Sequence, residues 1–227
     1  MSSIFILKAW GINLDRDKEK TINYDIQLND EQREAKEQIL LHPFSFLIGK
    51  AGSGKTLTAA AIALDQLFKK NIKKIVITRP TVSTEDNGFL PGSLEEKMEP
   101  WLVPIRDNFR KVYNKKDILE KLEKDEKIEI VPLTFFRGRT FENAICIIDE
   151  AQNLNRSQLQ MCLGRLGQDS LMIFCGDYQQ IDLKKKVDSA IHDIEILKNS
   201  RFVYVKELKQ NHRHPAVFEV LELLNKE

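Results

Sequence analysis

Five short apolar runs constrain this chain more than any other feature: Phe44–Ile48, Ile75–Thr78, Ile128–Leu133, Ala144–Ile148 and Leu171–Cys175. A strand with one solvated face alternates apolar and polar residues, whereas a nearly continuous apolar strand is covered on both faces. Helical patterns lie between most of these runs. That alternation predicts an α/β fold, a mostly parallel sheet with helices on both faces. A sixth run, Phe202–Leu208, alternates more strongly. A helix is expected from Asp30 to Leu41, capped by Asn29 and stopped before Pro43. Another is expected from Lys55 to Phe68, with Lys69 and Lys70 at the negative end of its dipole.

The remaining composition is that of an ordinary globular chain. Among 227 residues, 35 are Lys or Arg and 34 are Asp or Glu, so the net charge is +1. This excludes a histone-like basic protein and an acidic disordered tail. No apolar run approaches the roughly 18–20 residues of a membrane span. The start, MSSIFILKAWGIN, has no basic lead and no long apolar stretch, so no secretory leader is expected and the reading is cytoplasmic. Cys146, Cys162 and Cys175 lie among apolar neighbours without a C-x-x-C pair, as buried thiols in a reducing compartment would.

Residues 93–127 read differently. Leu94, Met98, Trp101, Leu102, Ile105, Phe109 and Val112 recur at helical spacing among many charges, and Ser93 with Glu96 fits a capping box. Pro100 and Pro104 are expected to break or kink that helix. The stretch is predicted to be a helical insertion, not a second domain. Residues 1–27 form an N-terminal extension, in which Ile22, Tyr24, Ile26 and Leu28 alternate as an edge strand would. Residues 28–227 then form one domain.

Glycine is scarce, ten in all, where an average of ~7% would give about 16. Three of the ten fall in Gly49-Lys50-Ala51-Gly52-Ser53-Gly54-Lys55-Thr56, which matches G-x-x-x-x-G-K-[ST] between a predicted strand and a predicted helix. In such a loop the glycines let backbone N–H groups curl around phosphates, and the helix N-terminus adds positive potential. Lys55 would reach the β- and γ-phosphates of a nucleotide, and the Thr56 hydroxyl would ligate Mg²⁺.

A second acid is required at the end of another strand. The run Ile145–Ile148 supplies it in Asp149, placed to hold Mg²⁺, followed by Glu150, placed to polarise an attacking water. That second carboxylate suits hydrolysis better than transfer between small molecules. After the next strand comes Gly176-Asp177-Tyr178-Gln179-Gln180, where an amide could sense the γ-phosphate.

Together these segments, with Ile77-Thr78-Arg79-Pro80, Gly88-Phe89-Leu90-Pro91-Gly92 and Phe136-Arg137-Gly138-Arg139-Thr140, resemble the PhoH-like family. That family comprises P-loop ATPases similar to the first motor lobe of superfamily 1 helicases. The likeness runs from about Leu28 to near the C-terminus, and Lys50 stands where the family commonly has proline. The resemblance implies a single RecA-like domain using ATP and Mg²⁺. It also implies that Gln32, in Leu28-Asn29-Asp30-Glu31-Gln32, reads the adenine edge. Gln180 becomes the γ-phosphate sensor. Arg213, in Leu208-Lys209-Gln210-Asn211-His212-Arg213, becomes an arginine finger.

Helicase-like ATPases present the loop after Thr78 to nucleic acid. Arg79, Arg137 and Arg139 are therefore candidates for phosphate contacts, with pairing to acids inside the lobe as the alternative. A net charge of +1 requires any such site to be local. Only 14 residues follow Arg213, so no second lobe is expected: either the protein is not a processive helicase alone, or a neighbouring subunit supplies the opposing face. The resemblance implies a ring, with a hexamer favoured. The functional expectation is an ATPase coupled to single-stranded nucleic acid, RNA ahead of DNA. The alternative is a nucleotide-gated scaffold with incidental hydrolysis.

Overall fold

The computed structural model describes residues 24–80 and 94–224. Residues 1–23, the Gly88–Gly92 segment and the Ser93 cap lie outside the described residues. The first helix, α1 (Asp30–Ile39), begins where Asn29 closes a capping box. Asn29 Oδ1 accepts the Gln32 N–H at 2.8 Å, and Gln32 Oε1 accepts the Asn29 N–H at 3.1 Å. There follow β1 (Phe44–Ile48), α2 (Lys55–Phe68), β2 (Lys74–Thr78), α3 (Leu94–Val112), α4 (Lys116–Lys124) and β3 (Ile128–Ile130). A 3₁₀ turn at Leu133–Phe136 leads to β4 (Ala144–Ile148). Beyond a second 3₁₀ turn (Ala151–Asn153) lie α5 (Arg156–Leu163), β5 (Leu171–Gly176), the short α6 (Ile194–Leu197), β6 (Val203–Glu207) and α7 (Pro215–Leu224).

The six strands form one sheet in the order β3-β2-β4-β5-β1-β6, every pairing parallel. Side-chain alternation along buried strands divides the core in two. Leu47, Ile75, Ile77, Ile145, Ile147 and Ile173 face α1 to α4 in one layer. Phe46, Ile48, Val76, Cys146, Ile148 and Phe174 face the 3₁₀ turns and α5 in the other. Phe46 and Phe174 stack across the second layer with centroids 4.6 Å apart. Helix α2 is buried from Thr58 to Leu67. Its run of alanines lets it lie close on the sheet.

The layering is that of the RecA-like lobe expected from the apolar runs. Three local expectations are corrected. Leu133 leaves the predicted strand for a 3₁₀ turn, because β3 pairs only with β2 and ends at Ile130. Helix α3 runs unbroken through Pro100 and Pro104, so of the break or kink expected there, the break does not occur. Pro104 is exposed, so water can serve a carbonyl that lacks a partner there. Tyr24 to Leu28 form no strand. Tyr24, Ile26 and Leu28 instead pack on the helical layer, and Asp25 N–H donates to Val112 C=O at 3.0 Å. The three cysteines are free and buried.

Candidate nucleotide site

In a parallel sheet every C-terminal strand end reaches the same edge. The segments after β1, β2, β4, β5 and β6 therefore meet there. Gly49 N–H donates to Gly176 C=O at 3.2 Å, and Leu208 N–H to Ile48 C=O at 2.7 Å, tying three of them together.

The loop after β1 carries the 49–56 motif. Gly52 and Gly54 hold φ of +89° and +81°, a region that costs other L-residues roughly 1–2 kcal/mol. Gly54 is the N-cap of α2 and places no side chain over its first turn, which leaves that end approachable by an anion. The Lys55 ammonium curls over the loop, donating to the Gly49 carbonyl at 2.7 Å and the Lys50 carbonyl at 3.2 Å. Lys50 is exposed, Ala51 half-buried, and Ser53 is buried beneath the loop.

Thr56 Oγ1 donates to Asp149 Oδ1 at 2.6 Å, joining the start of α2 to the end of β4. Burial pushes the Asp149 carboxyl above its ordinary value, and the charge of Glu150 adds to this. The Thr56 hydrogen bond and Arg79 act in the opposite direction. A divalent cation would offset that desolvation. Among the described residues no three His, Cys, Asp or Glu side chains gather. One hydroxyl and one carboxylate instead suit Mg²⁺, which takes few protein oxygens and completes its shell with water and phosphate.

Glu150 stands in left-handed backbone, φ 50° and ψ 44°, at the bend between β4 and the following 3₁₀ turn. Its Oε2 accepts a hydrogen bond from Gln152 Nε2 at 2.6 Å, and Arg79 lies 3.5 Å from Oε1. Gln152 is fully buried. The same Nε2 also donates to the Gln180 carbonyl at 3.0 Å, while Gln152 Oε1 accepts the Asp177 N–H at 3.1 Å. One amide thus joins Glu150 to the 177–180 turn. Asn153 reinforces the link through reciprocal bonds with Asp182, at 2.9 and 2.8 Å. The sequence reading missed Gln152. Its signal was present, two residues after Glu150 within Asp-Glu-Ala-Gln-Asn.

On the other side of the loop lies the segment after β6. The Glu31 carboxylate accepts the backbone N–H groups of Lys209 and Gln210, and Asn29 Nδ2 donates to Gln210 Oε1 at 2.7 Å. His212 N–H donates to the Gly52 carbonyl at 2.9 Å. A Cβ on Gly52 would sit 2.6 Å from Arg213 Cγ, so Arg213 lies against the phosphate loop of its own chain. Gln32 is buried, with its carbonyl engaged by Asn29 and its Nε2 turned toward Gly54. The Gln180 side chain is exposed.

The three arginine candidates separate. Arg79 faces Glu150. Arg137 is exposed beside Gly138. Arg139 does not join the site. Its guanidinium forms two bonds to Glu129, at 2.5 and 2.9 Å, and packs over Phe141. With Lys73, Lys74 and Lys127 it lines a hollow at the opposite, N-terminal edge of the sheet. The loop that carries it has already turned back toward the start of β4, which the chain must reach from below.

Fold and loop together define a P-loop NTPase lobe of the RecA-like, helicase type. A solved SWI2/SNF2 ATPase core from Sulfolobus solfataricus, in complex with dsDNA, shares the fold at TM-score 0.51 and 15% identity, over 85% of this chain and 47% of its own. The family model described as "PhoH-like protein" matches residues 26–225, and the chain belongs to that family. A PhoH-like protein of Bacillus subtilis is 42% identical over 200 residues, covering 86% of this chain and 62% of its own. Protein PhoH of Escherichia coli K12 is 41% identical over 150 residues, covering 65% and 42%. The chain thus spans about three-fifths of the Bacillus relative's length. Among the described residues no helix is long and apolar enough to cross a membrane.

Proposed function

We propose that the chain is a Mg²⁺-dependent ATPase coupled to binding or remodelling of single-stranded nucleic acid, RNA ahead of DNA, working as an oligomeric ring with a hexamer favoured. The observation that carries the hydrolytic part is the join of Thr56 to Asp149 at 2.6 Å, with Glu150 oriented by Gln152 alongside. Residues 49–56 cradle the phosphates, and Lys55 pairs with the β- and γ-oxygens. Thr56 and Asp149 would hold Mg²⁺, which when bound would neutralise charge on those oxygens. Glu150 takes a proton from water as the water oxygen bonds to the γ-phosphorus and the bridging bond to ADP breaks. Arg213 balances the charge that develops, acting on its own subunit's site. Gln180, tied through its carbonyl to Gln152, reports loss of the γ-phosphate. Gln32 contributes to the base side of the pocket.

The nucleic-acid part is supported by the family resemblance, and its single-strand preference rests on that resemblance alone, since the Sulfolobus fold neighbour is in complex with dsDNA. Phosphate release measured with poly(U) RNA, oligo(dT), duplex DNA and no polymer tests it, alongside mass in solution. The account predicts stimulation by single strands and a multimeric mass. No stimulation by any polymer, with basal hydrolysis intact, removes the nucleic-acid part.

A further inference from the structure

Arg79 and Glu150 leave the sheet edge side by side. Strands β2 and β4 are neighbours, Thr78 is in register with Ile148, and Asp149 N–H donates to the Thr78 carbonyl at 2.8 Å. Arg79 follows Thr78 on one strand, and the proposed water-activating Glu150 follows Asp149 on the other. The Glu150 carboxylate is thereby gripped from two directions, and the grips are unequal. Gln152 holds Oε2 at 2.6 Å from a fully buried position. Arg79 stands 3.5 Å from Oε1 with 34% of its side chain exposed. The first is built to stay and the second to exchange. Arg139 is as exposed, and its contrast is one of geometry alone: two short bonds hold it to Glu129, with Lys74 on the same carboxylate.

We propose that Arg79 clamps Glu150, and that a nucleic-acid phosphate taking the Arg79 guanidinium releases Glu150 to accept the proton of the attacking water. Strand binding then sets the rate of hydrolysis. The inference rests on the nucleic-acid-coupled ATPase reading above. Its chemistry is a competition between two anions for one guanidinium. Phosphate oxygens match the planar fork of arginine as well as a carboxylate does, and a polymer presents them at high local density. After the exchange Gln152 still orients Glu150, so the carboxylate is freed without being lost from the site. Arg79 is a positioning residue here, because it acts on the reacting water only through Glu150.

The test is steady-state ATP hydrolysis by wild type, Arg79→Ala and Arg79→Lys, each with and without poly(U) or oligo(dT). The proposal predicts that Arg79→Ala raises the polymer-free kcat by up to about 5-fold, the population a partly exposed ion pair ordinarily controls, with KM for ATP little changed. Added polymer then gives Arg79→Ala no further rise. Arg79→Lys keeps the clamp and part of the stimulation. A lower basal kcat in Arg79→Ala, or stimulation equal to wild type, overturns the clamp while leaving the nucleic-acid reading intact. Wild type unresponsive to every polymer overturns both. Should Arg79→Ala fail to fold, wild type alone decides. Rising ionic strength weakens an exposed pair and should lift polymer-free kcat, and a flat or falling profile refutes the clamp.

Discussion

Gln152→Ala is the most informative perturbation of the site as built. The wild-type amide makes three bonds from a fully buried position, to Glu150, to the Gln180 carbonyl and from the Asp177 N–H. Asp177 is only 3% exposed, so truncation strands a buried donor at a cost of about 1–3 kcal/mol. Loss of the charge-assisted bond to Glu150 and a small cavity add to this. The expected destabilisation is about 2–4 kcal/mol in urea unfolding. Hydrolysis should fall further than stability accounts for, because Glu150 loses the support that aims it. A drop of about 10²-fold in kcat with KM for ATP nearly unchanged is expected. Gln152→Glu tests the same contacts differently. Its carboxylate can still accept the Asp177 N–H but repels Glu150 and cannot donate to Gln180. As a fully buried unpaired charge it should lose at least as much stability as Gln152→Ala, and as much of the rate. Stability within about 0.5 kcal/mol of wild type in Gln152→Ala, with kcat unchanged, would refute the reasoning.

Further outcomes follow from charges elsewhere. The Arg139 hydrogen bonds, with Lys74 opposing the effect of burial, hold the Glu129 carboxyl down at about 2, below its ordinary 4.5. Because the folded value is depressed, this stabilisation is present above about pH 4.5 and is lost as pH falls toward 2. Glu129→Gln should lower stability by about 2 kcal/mol at pH 7 and flatten that acid limb of the unfolding curve. Asp149 has the opposite sign. Its folded value is raised chiefly by burial, so the ionised native carboxylate is a stability cost above the unfolded value. Asp149→Asn should melt higher without nucleotide while losing Mg²⁺-dependent hydrolysis, and a lower melting temperature would contradict this. Mixing Arg213→Ala with Lys55→Ala subunits should restore no activity, since Arg213 lies on its own phosphate loop. Recovery in mixed assemblies would place that arginine in trans.

The layers and the phosphate loop were legible because both are written in consecutive residues. β1, β4 and α2 have the bounds expected from their apolar runs, each stopped sharply by glycine, acid or lysine. Partner choice was not legible in the same way. Arg137 and Arg139 are equivalent in sequence, yet one is exposed and the other is half-buried and paired with Glu129. Only the pairing of β3 with β2, and the path of the loop beneath them, decides that. Gln152 was visible as a residue but not as a hub, since its three partners come from two separate loops. The scarcity of glycine did point to the site. Among the described residues, Gly52 and Gly54 are two of the three glycines with positive φ, and both shape the loop.

The central claim is that Glu150 activates water at a site built from residues 49–56 and Asp149. Phosphate release and ATP affinity measured together on wild type and Glu150→Gln test it most directly. The account predicts that Glu150→Gln binds ATP and Mg²⁺ as wild type does and hydrolyses at least about 10²-fold more slowly. Equal hydrolysis rates in the two proteins would contradict it.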